Sequence, residues 1–241
     1  PLATGTCLRR LFTLIIFLFL RPIIRLALLS GLCLLLTAPI SVQPAQATGE
    51  VTSTILVLGD SISAGYGMTL EAGWIALLND RLKTEHLNWH AINASISGDT
   101  TGGGLRRLPA LLDKHQPDIV VIELGGNDGL RGYPIKQLKQ NLQVMTTQAQ
   151  DSGAHVLIMG MEIPPNFGER YTSLFRKVFS DVAATRNAAY GEFMLAGVAT
   201  DRALMQADGI HPTADAQSLL LNNVWQSLYP LIHLESNGSR P

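Results

Sequence analysis

Ile55-Leu56-Val57-Leu58-Gly59-Asp60-Ser61-Ile62-Ser63 is the stretch that decides the fold. Four aliphatic residues in unbroken succession read as a strand buried on both faces, and the change to Gly-Asp-Ser reads as a tight turn at its carboxyl end. Open α/β sheets bind ligands outside the carboxyl ends of their strands, so the Ser61 hydroxyl is placed where chemistry is done. A plainer reading makes Ser61 the cap of the next helix, since Ser and Asp are both favoured there. The rest of the chain weighs between the two.

Outward from this turn, the chain alternates. A strand over residues 54–58 is followed by Leu70, Trp74, Leu77, Leu78 and Leu82 at helical spacing, opposite Asn79, Asp80, Arg81 and Lys83. A short strand over residues 89–94 runs into Ser95-Ile96-Ser97-Gly98-Asp99-Thr100-Thr101-Gly102-Gly103-Gly104. The glycines there imply unusual dihedrals or close backbone approach, and Leu105, Leu108, Leu111 and Leu112 continue as a helix. Residues 118–124, with Ile119-Val120-Val121-Ile122, form the clearest central strand, ending at Gly125-Gly126-Asn127-Asp128. A helix over residues 134–152 has Pro134 in its first turn and Gly153 just past its end. A strand over 155–160, a loop Pro164-Pro165-Asn166-Phe167-Gly168, a helix over 171–186, a weak strand over 189–194 and a helix over 212–231 complete the chain. Strands and helices in alternation imply right-handed crossovers and a single three-layer α/β domain around a parallel sheet.

The composition is 46% hydrophobic and 15% charged, with a formal net charge of -1. Neither a basic field for nucleic acid nor a long charge run for a membrane surface is present, so substrate choice falls to a local pocket. The apolar excess gathers in residues 11–40, broken by Arg21, Pro22 and Arg25, and reads as an export leader. Ala45-Gln46-Ala47 predicts cleavage after Ala47, leaving residues 48–241 as the mature domain in the periplasm or outside the cell. The opening Pro1, with a second apolar run over 11–20, leads to the expectation that the true start is internal or missing. The alternative is an uncleaved anchor, but neither run reaches the ~20 apolar residues of a span without crossing Arg21 or Arg25. Both cysteines, Cys7 and Cys33, fall in the leader, so the mature domain has no disulfide and no thiol nucleophile.

Three predicted strand ends carry polar residues: Ser61, Gly98 and Asn127. In an open sheet these ends face one crevice, and a serine nucleophile needs a base together with donors aimed at the developing oxyanion. The Asn127 amide and the backbone N–H groups of Ser61 and Gly98 are the candidate donors. Asp208-Gly209-Ile210-His211-Pro212 offers the base: Asp and His three apart on one turn can touch, leaving Nε2 to face the serine. The plainer readings are a turn-forming Asp208 and a helix-terminus His211.

Gly59-Asp60-Ser61, Gly98, Gly125-Gly126-Asn127-Asp128 and Asp208-Gly209-Ile210-His211 together resemble the four blocks of the SGNH (GDSL-type) hydrolases, over about residues 55–231. The resemblance implies a flavodoxin-like five-stranded parallel sheet of order 2-1-3-4-5, no metal, and hydrolysis of medium- to long-chain acyl esters and thioesters; no other cofactor is expected, and the expected state is a monomer. It makes Ser61, Asp208 and His211 catalytic, and Ser61, Gly98 and Asn127 the oxyanion hole. It also implies that residues 126–134 are a loop that moves as acyl chains enter. Gly126, Asp128, Leu130, Pro164 and Phe167 are then the candidate substrate-binding residues. Residues 102–104 are more glycine-rich than the family pattern, and residues 195–207 fit it least.

Other residues are read more plainly. His86 and His90 have metal-pair spacing, but a predicted helix ends between them; His115 suits a helix C-terminus, and the sequence does not name what His155 and His233 contact. Capping and turn bonding account for Asp60 and Asp128. Tyr66, Met159, Met161 and Phe167 are groove candidates that read singly as packing. A carbohydrate O-deacetylase on the same scaffold is one alternative function. A phosphate-binding module is another, though neither Gly-x-Gly-x-x-Gly after the first strand nor Gly-Lys-Ser/Thr occurs. The expected substrates are lysophospholipids or other fatty esters, with no nucleic-acid partner and no stable membrane insertion of the mature domain.

Overall fold

The computed structural model describes residues 52–236; the expected leader and its cleavage point lie outside them. Five strands, β1 (Ser53–Gly59), β2 (Trp89–Asn93), β3 (Ile119–Glu123), β4 (His155–Met159) and β5 (Ala189–Gly191), form one sheet in the order β2-β1-β3-β4-β5. Every pairing is parallel, with Val57 opposite both Asn93 and Val121. The helices are α1 (Trp74–Thr84), α2 (Thr101–His115), α3 (Gly126–Leu130), α4 (Ile135–Asp151), α5 (Glu169–Arg186) and α6 (Gln217–Ser236).

The period-2 geometry of β1 divides its side chains between two cores. Ile55 and Val57 pack with Trp74, Ile75, Leu78 and Leu82 of α1 and with Leu220, Val224 and Leu228 of α6. Leu56 and Leu58 pack with Leu108 and Leu112 of α2, Leu138, Leu142 and Met145 of α4, and Phe175 and Phe179 of α5. This two-sided cover is what the unbroken aliphatic runs require.

The sequence-based boundaries shift where a turn intervenes. Leu70–Ala72 is a separate 3-10 turn and Leu70 is exposed, so α1 begins only at Trp74. Pro134 is the N-cap of α4 rather than part of its first turn, whereas Gly153 does lie past its end, with φ +90°. Pro212 does not open the last helix: it pairs with Met205 in an isolated antiparallel bridge, and Ala214–Ala216 precedes α6 as a 3-10 turn. The last strand stops at Gly191, where an added Cβ would lie 2.5 Å from Met159 Sδ, and residues beyond it turn toward the ligand crevice. Residues 126–134 are not wholly loop, since 126–130 form α3.

Candidate active site

The turn after β1 is fixed from below. Asp60 is buried; its Oδ1 accepts the Ile62 N–H at 3.0 Å and its Oδ2 accepts the Asn127 side-chain amide at 3.1 Å. Glu123, the last residue of β3, is fully buried and its Oε2 accepts both the Ser63 hydroxyl at 2.6 Å and the Asp60 N–H at 3.3 Å. The Trp74 indole donates to Ser63 Oγ at 3.1 Å, and the Asn93 amide to the Ser63 carbonyl at 2.9 Å. Gly59 is required here because a Cβ would lie 2.5 Å from Glu123 Oε2. Burial pushes the Asp60 carboxyl up to about 6, against the pull of the Ile62 N–H, the Asn127 amide and nearby His211. Burial, and then the adjacent Asp60 charge, hold Glu123 well above the usual carboxylate range.

The opposite wall is a tight hairpin. Thr213 N–H donates to the Leu204 carbonyl at 2.8 Å and Gln206 N–H to the His211 carbonyl at 2.7 Å, so Asp208 and Gly209 form its tip. Gly209 takes φ +67°, a conformation that costs a residue with a side chain. Asp208 Oδ1 accepts the N–H groups of Ile210 (2.9 Å) and His211 (3.0 Å), and its Oδ2 lies 2.7 Å from His211 Nδ1. Those bonds, the imidazole's first, hold the Asp208 carboxyl down at about 2. His211 Nε2 lies 2.9 Å from Ser61 Oγ across 150 positions of sequence. The Tyr66 ring lies over the imidazole with centroids 4.3 Å apart.

Ser61, Asn127 and His211 open onto a cavity of about 450 Å³, whose apolar wall is Leu130, Met161, Ile163, Met194, Leu195 and Met205. Of the candidate substrate-binding residues, Gly126, Leu130 and Pro164 line it, whereas Asp128 and Phe167 lie elsewhere. Asp128 is turned into the protein, where its carboxylate accepts the Thr101 N–H (2.8 Å) and hydroxyl (2.6 Å) and so anchors the start of α2. Phe167 packs against the core under α5, beside Tyr171. Among the groove candidates only Met161 reaches the cavity; Met159 is core and Tyr66 is half exposed above His211. Gly98 takes φ +78° and its carbonyl accepts Arg131 Nη2 at 3.0 Å. Gly102, Gly103 and Gly104 belong to the first turn of α2 rather than to a loose loop.

Sequence reasoning missed two groups. Arg107 ties the sheet's carboxyl ends together: its guanidinium pairs with Asp99 at 2.8 Å and also donates to the carbonyls of Gly59, at 3.3 Å, and Ala94. Glu123 reads in sequence only as the end of a strand. The remaining histidines are elsewhere: His86 and His90 are exposed, and His233 meets the Tyr229 ring edge-on at 4.2 Å, a partner the sequence does not reveal. Among the described residues no cluster of three or more His, Cys, Asp or Glu side chains could hold a metal ion.

Comparison with known proteins places this arrangement. The chain is 53% identical over 179 residues to esterase TesA of Pseudomonas aeruginosa, covering 74% of this chain and 89% of that one. It is 42% identical to thioesterase 1/protease 1/lysophospholipase L1 of Escherichia coli K12, over 76% of this chain and 86% of the relative. The crystal structure of TesA superposes with a TM-score of 0.73 over 74% of this chain and 99% of that one. The psychrotrophic esterase EstA from Pseudoalteromonas sp., in a structure inhibited by monoethylphosphonate, gives 0.73 at 42% identity over 75% and 99%. Residues 57–219, from within β1 to the start of α6, match the GDSL-like lipase/acylhydrolase family. By that match and these relatives, the chain belongs to the GDSL-like lipase/acylhydrolase family and is an acyl-ester hydrolase.

Proposed function

We propose that the chain hydrolyses medium- to long-chain acyl esters and thioesters through an acyl-enzyme on Ser61. The observation that carries this is the unbroken chain Ser61 Oγ, His211, Asp208, at 2.9 and 2.7 Å, at the mouth of an apolar cavity. Ser61 Oγ attacks the acyl carbonyl while its proton passes to His211 Nε2. Asp208, ionised at any pH well above about 2, holds the Nδ1–H tautomer and stabilises the imidazolium. The oxyanion is met by donors at Asn127 and at the backbone of Ser61 and Gly98. His211 then protonates the departing alcohol or thiol, and water, activated by the same imidazole, releases the fatty acid.

The apolar lining supports fatty acyl groups over acetyl groups, and hence this reading over carbohydrate deacetylation. A lysophospholipase/thioesterase relative supports lysophospholipids and acyl thioesters within the substrate range. We place the enzyme, as a monomer, in the periplasm or outside the cell after cleavage following Ala47; among the described residues no helix is long and apolar enough to cross a membrane. A fatty-acyl ester panel on the protein and its Ser61→Ala variant tests the reading, with phosphonate labelling read by peptide mass. Labelling at Ser61, loss of turnover in the variant and a preference for octanoyl and longer esters are expected. Retained turnover in Ser61→Ala removes the nucleophile, and an acetyl preference favours the deacetylase. N-terminal sequencing of the exported protein should give Thr48 first.

A further inference from the structure

Gln206 touches neither Ser61 nor the imidazole, yet it joins the two segments that carry them. Its backbone N–H donates to the His211 carbonyl at 2.7 Å, and its carbonyl accepts the Gly209 N–H at 2.9 Å, which closes the hairpin on both sides of Asp208. Its side-chain amide nitrogen then reaches out of the hairpin and donates to the Tyr66 carbonyl at 2.7 Å while also donating to the Pro212 carbonyl at 2.9 Å. Tyr66 belongs to the nucleophile turn, since its N–H donates to the Ser61 carbonyl at 3.1 Å. One amide group thus spans the nucleophile's turn and the base's hairpin.

The surroundings are shaped around that amide. Gly67 takes φ +76°, and a Cβ there would lie 2.9 Å from Gln206 Nε2 and closer still to Oε1. The bond to the Tyr66 carbonyl holds the backbone that carries the Tyr66 ring, and that ring lies over His211 at 4.3 Å. The imidazole is therefore bounded by Asp208 through Nδ1, Ser61 through Nε2 and Tyr66 on its face, and two of these three depend on how the hairpin docks on the turn.

We infer that Gln206 is a positioning residue for the hydrolytic reaction: its side-chain amide locks the Asp208–His211 hairpin onto the Ser61–Tyr66 turn and sets the Ser61–His211 hydrogen bond. This rests on the serine-hydrolase reading above. The bond it sets serves the step in which the serine proton passes to His211, so its loss lowers the rate of attack and leaves substrate binding in the apolar cavity intact.

The test compares wild type, Gln206→Met, which keeps chain length without donors, and Gln206→Glu, which turns carboxylate oxygens toward two carbonyls. Steady-state kinetics on a long-chain aryl ester give kcat and KM, and the rate constant for phosphonylation of Ser61 reports activation of the hydroxyl alone. Both variants are expected to lose about 10- to 100-fold in kcat and in phosphonylation rate, with KM within about twofold of wild type. If Gln206→Met does not fold, Gly67→Ala displaces the amide from outside and should give the same split. Phosphonylation and kcat within about twofold of wild type, or a loss confined to KM, overturns the inference. Failure of the wild-type protein to be phosphonylated at Ser61 would instead undo the serine-nucleophile reading.

Discussion

At Asn127 one amide hydrogen is fixed on Asp60 Oδ2 at 3.1 Å, which leaves the second to donate to a ligand in the cavity that Asn127 and Ser61 both line. A donor held in place before the reaction costs nothing to reorganise as charge develops, so Asn127→Ala should lose about 2.7–4 kcal/mol of transition-state stabilisation. The measurement is kcat/KM with the folded state checked by thermal unfolding; an unchanged value removes Asn127 from the oxyanion hole. At the other side of the site, Asp208→Asn would still accept the Ile210 and His211 N–H bonds through its oxygen but would present a donor to Nδ1. That forces the wrong imidazole tautomer, and kcat should fall by about 10²- to 10⁴-fold with KM little changed. Ser61, Asn127, Asp208 and His211 were legible in sequence because each sits in a short polar break beside an apolar run or a helix start. Glu123 was not, because a carboxylate ending Ile119-Val120-Val121-Ile122 carries no signal of what lies across the sheet. Only the register, which sets Gly59 against Glu123, shows it beneath the Ser61 turn.

The first turn of α2 shows how closely the elements around the site are fitted. Thr100 caps it through a bond from the Gly103 N–H at 3.2 Å, and Asp128 holds Thr101. Gly104 packs flat against the sheet: a Cβ there would run into Leu124 Cδ1 and lie 3.4 Å from both Leu58 Cδ2 and Met145 Sδ, all buried. Gly104→Ala should therefore destabilise by about 1–3 kcal/mol, the usual cost of overpacking. Gly102, two residues earlier, meets only ordinary contacts at 3.7–3.8 Å, so Gly102→Ala should be neutral or stabilise by up to about 1 kcal/mol. Urea midpoints at constant m-value check the pair; equal shifts would mean that close approach is not why Gly104 is there. Close approach at residues 102–104 could be read from composition, but which glycine needs it could not. The short helix α3 and the wall over residues 193–209 were illegible for a different reason. One is a single turn, and the other follows neither a 2- nor a 3.6-residue period, so its side chains acquire a face only when the sheet is in place.

Across the whole molecule, the sheet brings two buried carboxyls together under the Ser61 turn, and their protons link the site to global stability. Asp60 titrates near 3.8 in ordinary surroundings and at about 6 in the folded protein, so between those values the folded state binds the extra proton. The stabilisation this confers is complete below about pH 3.8 and is lost as pH rises through about 6. Glu123 acts in the same direction, because it too is raised. Asp208 acts oppositely: lowered to about 2, it contributes above about pH 3.8 and fades as pH falls through 2. Its contribution is the smaller, since its side chain is 38% exposed and screened by solvent. The wild-type protein should accordingly lose stability between about pH 3.8 and 6, by on the order of 1–3 kcal/mol from Asp60. Asp60→Asn lacks that proton, so its denaturation midpoint should fall less steeply than that of wild type over the same interval, with only the Glu123 contribution remaining, whatever it does to turnover. Thermal or urea unfolding of both proteins across that range measures the difference directly. Parallel curves would mean that Asp60 is already ionised when folded, and that burial beneath Ser61 is fully offset by the amide of Asn127 and the N–H of Ile62.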